Sequence, residues 1–188
     1  MQAIPTDISI NELLTELSPK LAKEGIESAG RVDELAGTEF TLLVDIEGES
    51  TYSYVVKDGI NFDVKTEAIA DPLVAISLTK DDMEKMIATG NLDMLLGIQQ
   101  DLTIAKYNAL KGMKGCFKAE LKNEDGSFFS IKTICNGIDT PTCTFKMTTA
   151  DSAKVAKKEA HPVNMFMSGQ MQIEGDMAFA MATQPLFT

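Results

Sequence analysis

Met165-Phe166-Met167-Ser168-Gly169-Gln170-Met171-Gln172-Ile173-Glu174-Gly175-Asp176-Met177-Ala178-Phe179-Ala180-Met181 carries the most specific pattern in the chain. A short apolar piece ends at Gly169. Met171 and Ile173 then alternate with Gln170 and Gln172, the period of a half-buried edge strand. Gly175 breaks that strand. Asp176, whose short side chain can accept from free helix amides, caps a final helix that starts at Met177. Five of the 11 methionines fall in this stretch, and six lie after residue 140. Thioether side chains are unbranched and polarizable, so such residues either fill gaps in a core or conform to an apolar ligand.

Upstream, Thr142–Met147 alternates as a strand and leads into Thr148-Thr149-Ala150-Asp151, a Thr-x-x-Asp pattern like a capping box, before a helix carrying Val155 and Ala156. Cys116–Lys122 and Ser127–Thr133 alternate on either side of the turn Asn123-Glu124-Asp125-Gly126, and Asn136-Gly137 turns the chain toward Thr142. The first half shows the same order. Glu39–Ile46 and Thr51–Lys57 flank Glu47-Gly48, Asp58-Gly59 turns again, and a loop over Ile60–Ala70 leads to a strand at Leu73–Leu78. Thr79-Lys80-Asp81-Asp82 then caps a helix bearing Met83, Met86 and Ile87, which Gly90 terminates. Leu92–Gly112 reads as mostly helical, with Leu102–Ala105 compatible with a short strand. Ahead of all this, Ile10, Leu13, Leu14, Leu17 and Leu21 predict a helix over residues 8–27, with Ser9 as N-cap and Pro19 as a kink or a boundary.

The two halves align as a repeat. With a shift of 77, Phe40 falls on Phe117, Glu47 on Glu124, Ser53 on Ser130 and Tyr54 on Ile131. With a shift of 69, Pro72 falls on Pro141, Thr79 on Thr148, Asp82 on Asp151, Ile104 on Ile173 and Ala109 on Ala178. The shorter shift places the missing residues in the connection at Ile138–Thr140. The expected organisation is one compact body over 1–188, with an internal repeat of 38–113 and 115–188 preceded by the first helix.

The C-terminal pattern resembles the sterol-carrier-protein type 2 family. The matching pieces are Pro162, Phe166, Gly169, Met171, Ile173, Gly175, Asp176, Met177, Ala178 and Ala180, over about Thr142–Phe187. The resemblance implies an α+β fold: a twisted, mostly antiparallel sheet with helices on one side, enclosing an apolar tunnel. It also implies binding of a sterol, fatty acyl chain or acyl-CoA ester without chemical change. The implied wall is Met165, Phe166, Met171, Ile173, Met177, Phe179 and Met181, with Lys154, Lys157 and Lys158 available to a polar head group. The chain departs from the family at His161, where an Asn is usual, and the first copy has Gln100 and Lys106 where the second has Gly169 and Gly175. The alternative is an interaction module of the same fold with a filled core, serving dimerisation, as a homodimer, or docking to a partner enzyme.

Composition bounds the other classes. The 188 residues are 44% hydrophobic and 24% charged, ordinary for a folded domain. A net charge of −11 disfavours nucleic acid and anionic membranes as partners. No apolar run reaches the roughly 20 residues of a membrane span. The opening Met-Gln-Ala-Ile-Pro-Thr-Asp has no signal-peptide pattern and the end no peroxisomal address, so a cytoplasmic location is expected. Cys116, Cys135 and Cys143 are read as reduced thiols, with Cys143 a small core residue. His161 is the sole histidine and precedes Pro162, an extended setting without a Gly-x-Ser-x-Gly elbow, so no catalytic residue is assigned. No metal-ligand spacing, Walker loop or dinucleotide fingerprint occurs, and no cofactor is expected.

Overall fold

The computed structural model describes residues 4–188, apart from the side chains of residues 98–100. The first three residues of the opening stretch and the side chain of Gln100 therefore lie outside it. The first helical stretch begins at α1 (Ile10–Glu12), where the Ser9 hydroxyl accepts from the Glu12 amide at 3.1 Å. It passes through a π-helical turn at Leu13–Leu17 into α2 (Ser18–Ser28). Pro19, which has no N–H to donate, lies where the π-helical turn passes into α2.

Eight strands follow in one open mixed sheet: β1 (Glu39–Glu47), β2 (Ser50–Lys57), β3 (Asn61–Lys65), β4 (Val74–Thr79), β5 (Gly115–Lys122), β6 (Phe128–Cys135), β7 (Thr142–Thr148) and β8 (Gln172–Gly175). Their order across the sheet is β3-β2-β1-β4-β6-β5-β7-β8. Each half makes an antiparallel hairpin, β1/β2 or β5/β6. In each, the return strand pairs parallel with the first strand of the hairpin, β4 on β1 and β7 on β5. The halves join where β4 and β6 pair antiparallel, Val74 opposite Cys135 and Ile76 opposite Thr133. The fold is α+β, with most strand pairs antiparallel.

The segment Ile60–Ala70, expected as a plain loop, contains β3 on the sheet edge. Its alternation of exposed and half-buried residues has only one neighbouring strand to pack against, so its apolar signal is weak.

Helices α3 (Lys80–Thr89) and α6 (Thr149–Ala156) follow the two return strands. Both are capped as the Thr-x-x-Asp patterns predict: Thr79 accepts from the Asp82 amide at 3.1 Å and Thr148 from the Asp151 amide at 3.0 Å. Gly90 closes α3 in the left-handed region. Leu92–Gly112 forms α4 (Asp93–Gln100) and α5 (Ile104–Gly112). The compatible strand at Leu102–Ala105 is absent because Thr103 caps α5, accepting from the Lys106 amide. Ile104 is thus helical whereas Ile173 lies in β8, so the shift of 69 matches unlike elements beyond the α3 and α6 helices.

The chain ends with α7 (Pro162–Met167), β8, α8 (Met177–Ala182) and a 3-10 turn at Gln184–Leu186. Asp176 Oδ1 accepts from the Phe179 amide at 2.8 Å, the cap expected from sequence. Gly175 adopts a φ of +91°, and a Cβ there would lie 2.5 Å from the Thr142 carbonyl oxygen. The residue that breaks the strand is also the one that lets β8 meet β7.

One sheet face carries the alternating core residues, and the buried side chains of α1, α3, α4, α5, α6 and α8 join them in a single apolar cluster. A smaller cluster of Ile26, Leu35 and Leu102 ties α2 to the α4–α5 connection.

Candidate ligand-binding cavity

Strand alternation places Phe40 and Leu42 of β1, Val74 and Ile76 of β4, and Phe117 and Ala119 of β5 on the helix side of the sheet. Ile131 and Thr133 of β6 and Phe145 and Met147 of β7 continue the same surface. Together these side chains floor a cavity of about 90 Å³. Its roof comes from Met94 and Leu95 of α4, Leu110 of α5, Val155 of α6, α7, α8 and the C-terminal turn. Side-chain polarity on the wall is confined to Thr133, Thr183 and Gln184, and the Thr183 hydroxyl donates to the Ala180 carbonyl. Phe117, Phe145 and Phe187 meet edge-to-face beside it, with ring centroids 6.2–6.4 Å apart.

A water needs only about 10–15 Å³ of such space, while an apolar cavity of roughly 150 Å³ admits benzene. The observed volume therefore suits part of an apolar ligand, and a longer one requires wall side chains to move. Phe166 and Met181 line the cavity and are also 38% and 46% exposed, which marks its opening between α7 and α8.

The residues expected in the wall divide. Phe166, Met171, Ile173 and Met181 line the cavity. Met165 is buried in the core, and Met177, first residue of α8, is exposed. Phe179 packs on Gly115 instead, where a Cβ would lie 2.6 Å from its ring. Of the basic cluster, Lys154 pairs with Asp151 of its own helix and Lys157 with Asp93. Lys158 reaches Asp101 at 2.7 Å and lines a small polar recess with Asp93, Asp101 and Lys106.

The recess shares Met94, Val155, Leu186 and Phe187 with the apolar cavity, so these four side chains stand between the two. Burial alone would raise the Asp101 carboxyl. Hydrogen bonds from Lys106, Lys158 and Arg31 outweigh that and hold it well below the usual carboxylate range. His161 is the exposed N-cap of α7, its Nδ1 accepting from the Val163 amide. The three cysteines are free and buried, and burial pushes the Cys135 thiol up to about 12 and the Cys143 thiol up to about 11. Among the described residues no cluster of His, Cys, Asp or Glu is arranged to hold a metal, and no helix is long and apolar enough to cross a membrane.

Sequence reasoning missed the whole first-half contribution, Phe40, Leu42, Val74, Ile76 and Leu95. Their alternation was readable, but the β4/β6 junction that aligns the two faces was not. It also missed Lys106, whose signal is a single cation inside the apolar run Leu102–Leu110.

A model of the SCP-2 sterol transfer family matches residues 98–188. The sterol carrier protein domain 2 of Helicoverpa armigera is similar at 19% identity, covering 53% of this chain and 84% of that one, with a TM-score of 0.39. Sterol Carrier Protein 2 Like 2 from Aedes aegypti is similar at 16% identity, covering 47% and 91%, with a TM-score of 0.33. A UbiJ-SCP2 ubiquinone synthesis protein covers 96% of this chain and 93% of its own length at 11% identity and a TM-score of 0.31. No curated protein sequence matches the chain.

Proposed function

We propose that this protein binds an apolar ligand, a fatty acyl chain, acyl-CoA or sterol-like lipid, and carries it without altering it. The observation that carries this reading is the cavity itself: an almost wholly apolar wall, built from both halves and opening at Phe166 and Met181. The match of residues 98–188 to the SCP-2 sterol transfer family model supports the class of ligand. Met94, Met147, Met171 and Met181 give the wall side chains that can reshape around a variable tail. We read the two strand units as diverged copies within one body, with the ligand held chiefly by the second.

Protein isolated from cells is expected to release lipid on denaturation, detected by mass spectrometry. The emptied protein is expected to take up a fluorescent fatty acid saturably. Ala119 lies mid-floor, and Ala119→Leu fills the space without touching the surface, so uptake is expected to fall while the fold persists. Absence of both lipid and uptake, with a concentration-dependent mass, would instead favour a packed interaction module that dimerises.

A further inference from the structure

Arg31, Lys106 and Lys158 come from three separate places: just beyond α2, in α5 and just beyond α6. All three converge on one carboxylate, Asp101. Arg31 Nη1 reaches Oδ1 at 2.5 Å, and the ammonium groups of Lys106 and Lys158 reach Oδ2 at 2.7 Å each. Nearby, Lys157 pairs with Asp93, and Glu34 accepts from the Ile104 amide. Three cations thus share a single carboxylate in a chain whose net charge is −11. The Lys106 side chain is only 5% exposed, and among the described residues Asp101 is its one ion-pair partner, shared with two other cations. Burying a cation with so little compensation is costly, and a second oxyanion at this spot removes that cost.

The recess holding Lys106 and Lys158 adjoins the apolar cavity across Met94, Val155, Leu186 and Phe187. Charge and apolar space thus lie end to end.

We propose that this cluster is the head-group site for an anionic amphiphile, a carboxylate or phosphate on an apolar tail. Lys106, Lys158 and Arg31 take the oxyanion, and the tail passes between the four shared side chains into the cavity. Asp101 occupies the cations when no ligand is present and gives them up in part when one arrives. The inference rests on the carrier reading of the cavity and names the chemistry of its ligand.

The test compares a fluorescent long-chain fatty acid with its methyl ester on the intact chain. The acid is expected to bind at least about tenfold more tightly, the scale of one charge-assisted hydrogen bond. Lys106→Met is expected to bring the acid down to the level of the ester and leave the ester unchanged. Asp101→Asn has the opposite sign: it removes the competing carboxylate, so the acid tightens and the ester does not. Dodecanoate and dodecyl phosphate, run as competitors, distinguish the two head groups, and displacement by either supports the site. Equal binding of acid and ester in the unmodified protein overturns the inference while leaving the carrier reading intact. Weaker acid binding in Asp101→Asn also overturns it, since a cluster that merely locks helices together gives that result. Binding of neither probe overturns both readings.

Discussion

The two strand units share an order of hairpin, parallel return strand and Thr-capped helix, yet the side chains beneath the two helices differ in size. In the first unit, α3 drives Met83, Met86 and Ile87 onto the sheet, all buried. The corresponding positions of α6 are Ser152, Val155 and Ala156. The floor changes in the same direction: Leu42 corresponds to Ala119, Tyr54 to Ile131 and Val56 to Thr133. Tyr54 even anchors the α1 stretch, its hydroxyl donating to the Leu14 carbonyl at 2.6 Å. The second unit keeps the backbone plan with smaller side chains at these positions, and the cavity lies against Ala119, Ile131, Thr133 and Val155 as well as Phe40, Leu42, Val74 and Ile76 of the first unit. The space beneath α6 goes with smaller side chains at a few positions rather than with a different architecture.

If that is correct, the large side chains beneath α3 bear chiefly on stability and the smaller ones beneath α6 on binding. Met86→Ala removes a fully buried side chain from a packed site and is expected to cost about 2–5 kcal/mol in urea unfolding, with ligand uptake unchanged at temperatures where the protein stays folded. A loss of uptake by the folded variant would break the division between the two units. Val155→Met restores the first-unit residue at a cavity-lining position. It is expected to lower fatty-acid affinity at least about tenfold, roughly 1.4 kcal/mol, without lowering the unfolding midpoint. Unchanged affinity would mean that the ligand lies elsewhere. Tyr54→Phe leaves the Leu14 carbonyl without its donor, and a smaller loss of about 1 kcal/mol is expected.

Much of this was readable from the chain because local chemistry determines it. Thr79, Thr148 and Asp176 each offer an oxygen to amides that no other group can reach at a helix start. Alternation in β1, β2, β5, β6 and β7 reflects a sheet with one dry face. The C-terminal motif led to the fold class through its family resemblance, and within it Gly175 serves a close approach and Asp176 a cap. What escaped is non-local. Nothing along the sequence says that β4 pairs with β6, and that pairing puts Val74 and Ile76 in the same cavity floor as Ile131 and Thr133. Met165, Met177 and Phe179 sit in the same Met-rich run as the wall residues. Helix phase and the glycine at Gly115 send them to the core, the surface and a separate contact. Lys106 reads as one polar interruption of an apolar stretch until Asp101 and Lys158 are placed beside it.

The cluster at Asp101 also joins the two units, since Arg31, Asp101 and Lys106 precede β5 whereas Lys158 follows α6. Its effect on stability has a defined sign. Burial opposes ionisation of Asp101, but the hydrogen bonds from Lys106, Lys158 and Arg31 prevail and depress its folded pKa. The stabilisation is therefore present above the unfolded carboxylate value of about 3.9 and is lost as pH falls from there through the folded value. Asp125, held down by hydrogen bonds from Lys85 and Ser127, and Asp151, held down by Lys154, contribute in the same direction. The acid limb of the unmodified protein is thus a sum of several groups, and only the difference from Asp101→Asn isolates this one. Urea midpoints measured from pH 6 down to pH 3 should fall more steeply below pH 4 in the unmodified protein than in the variant. Parallel curves would mean that the three cations do not favour the ionised form, which would remove the electrostatic tie between the two units.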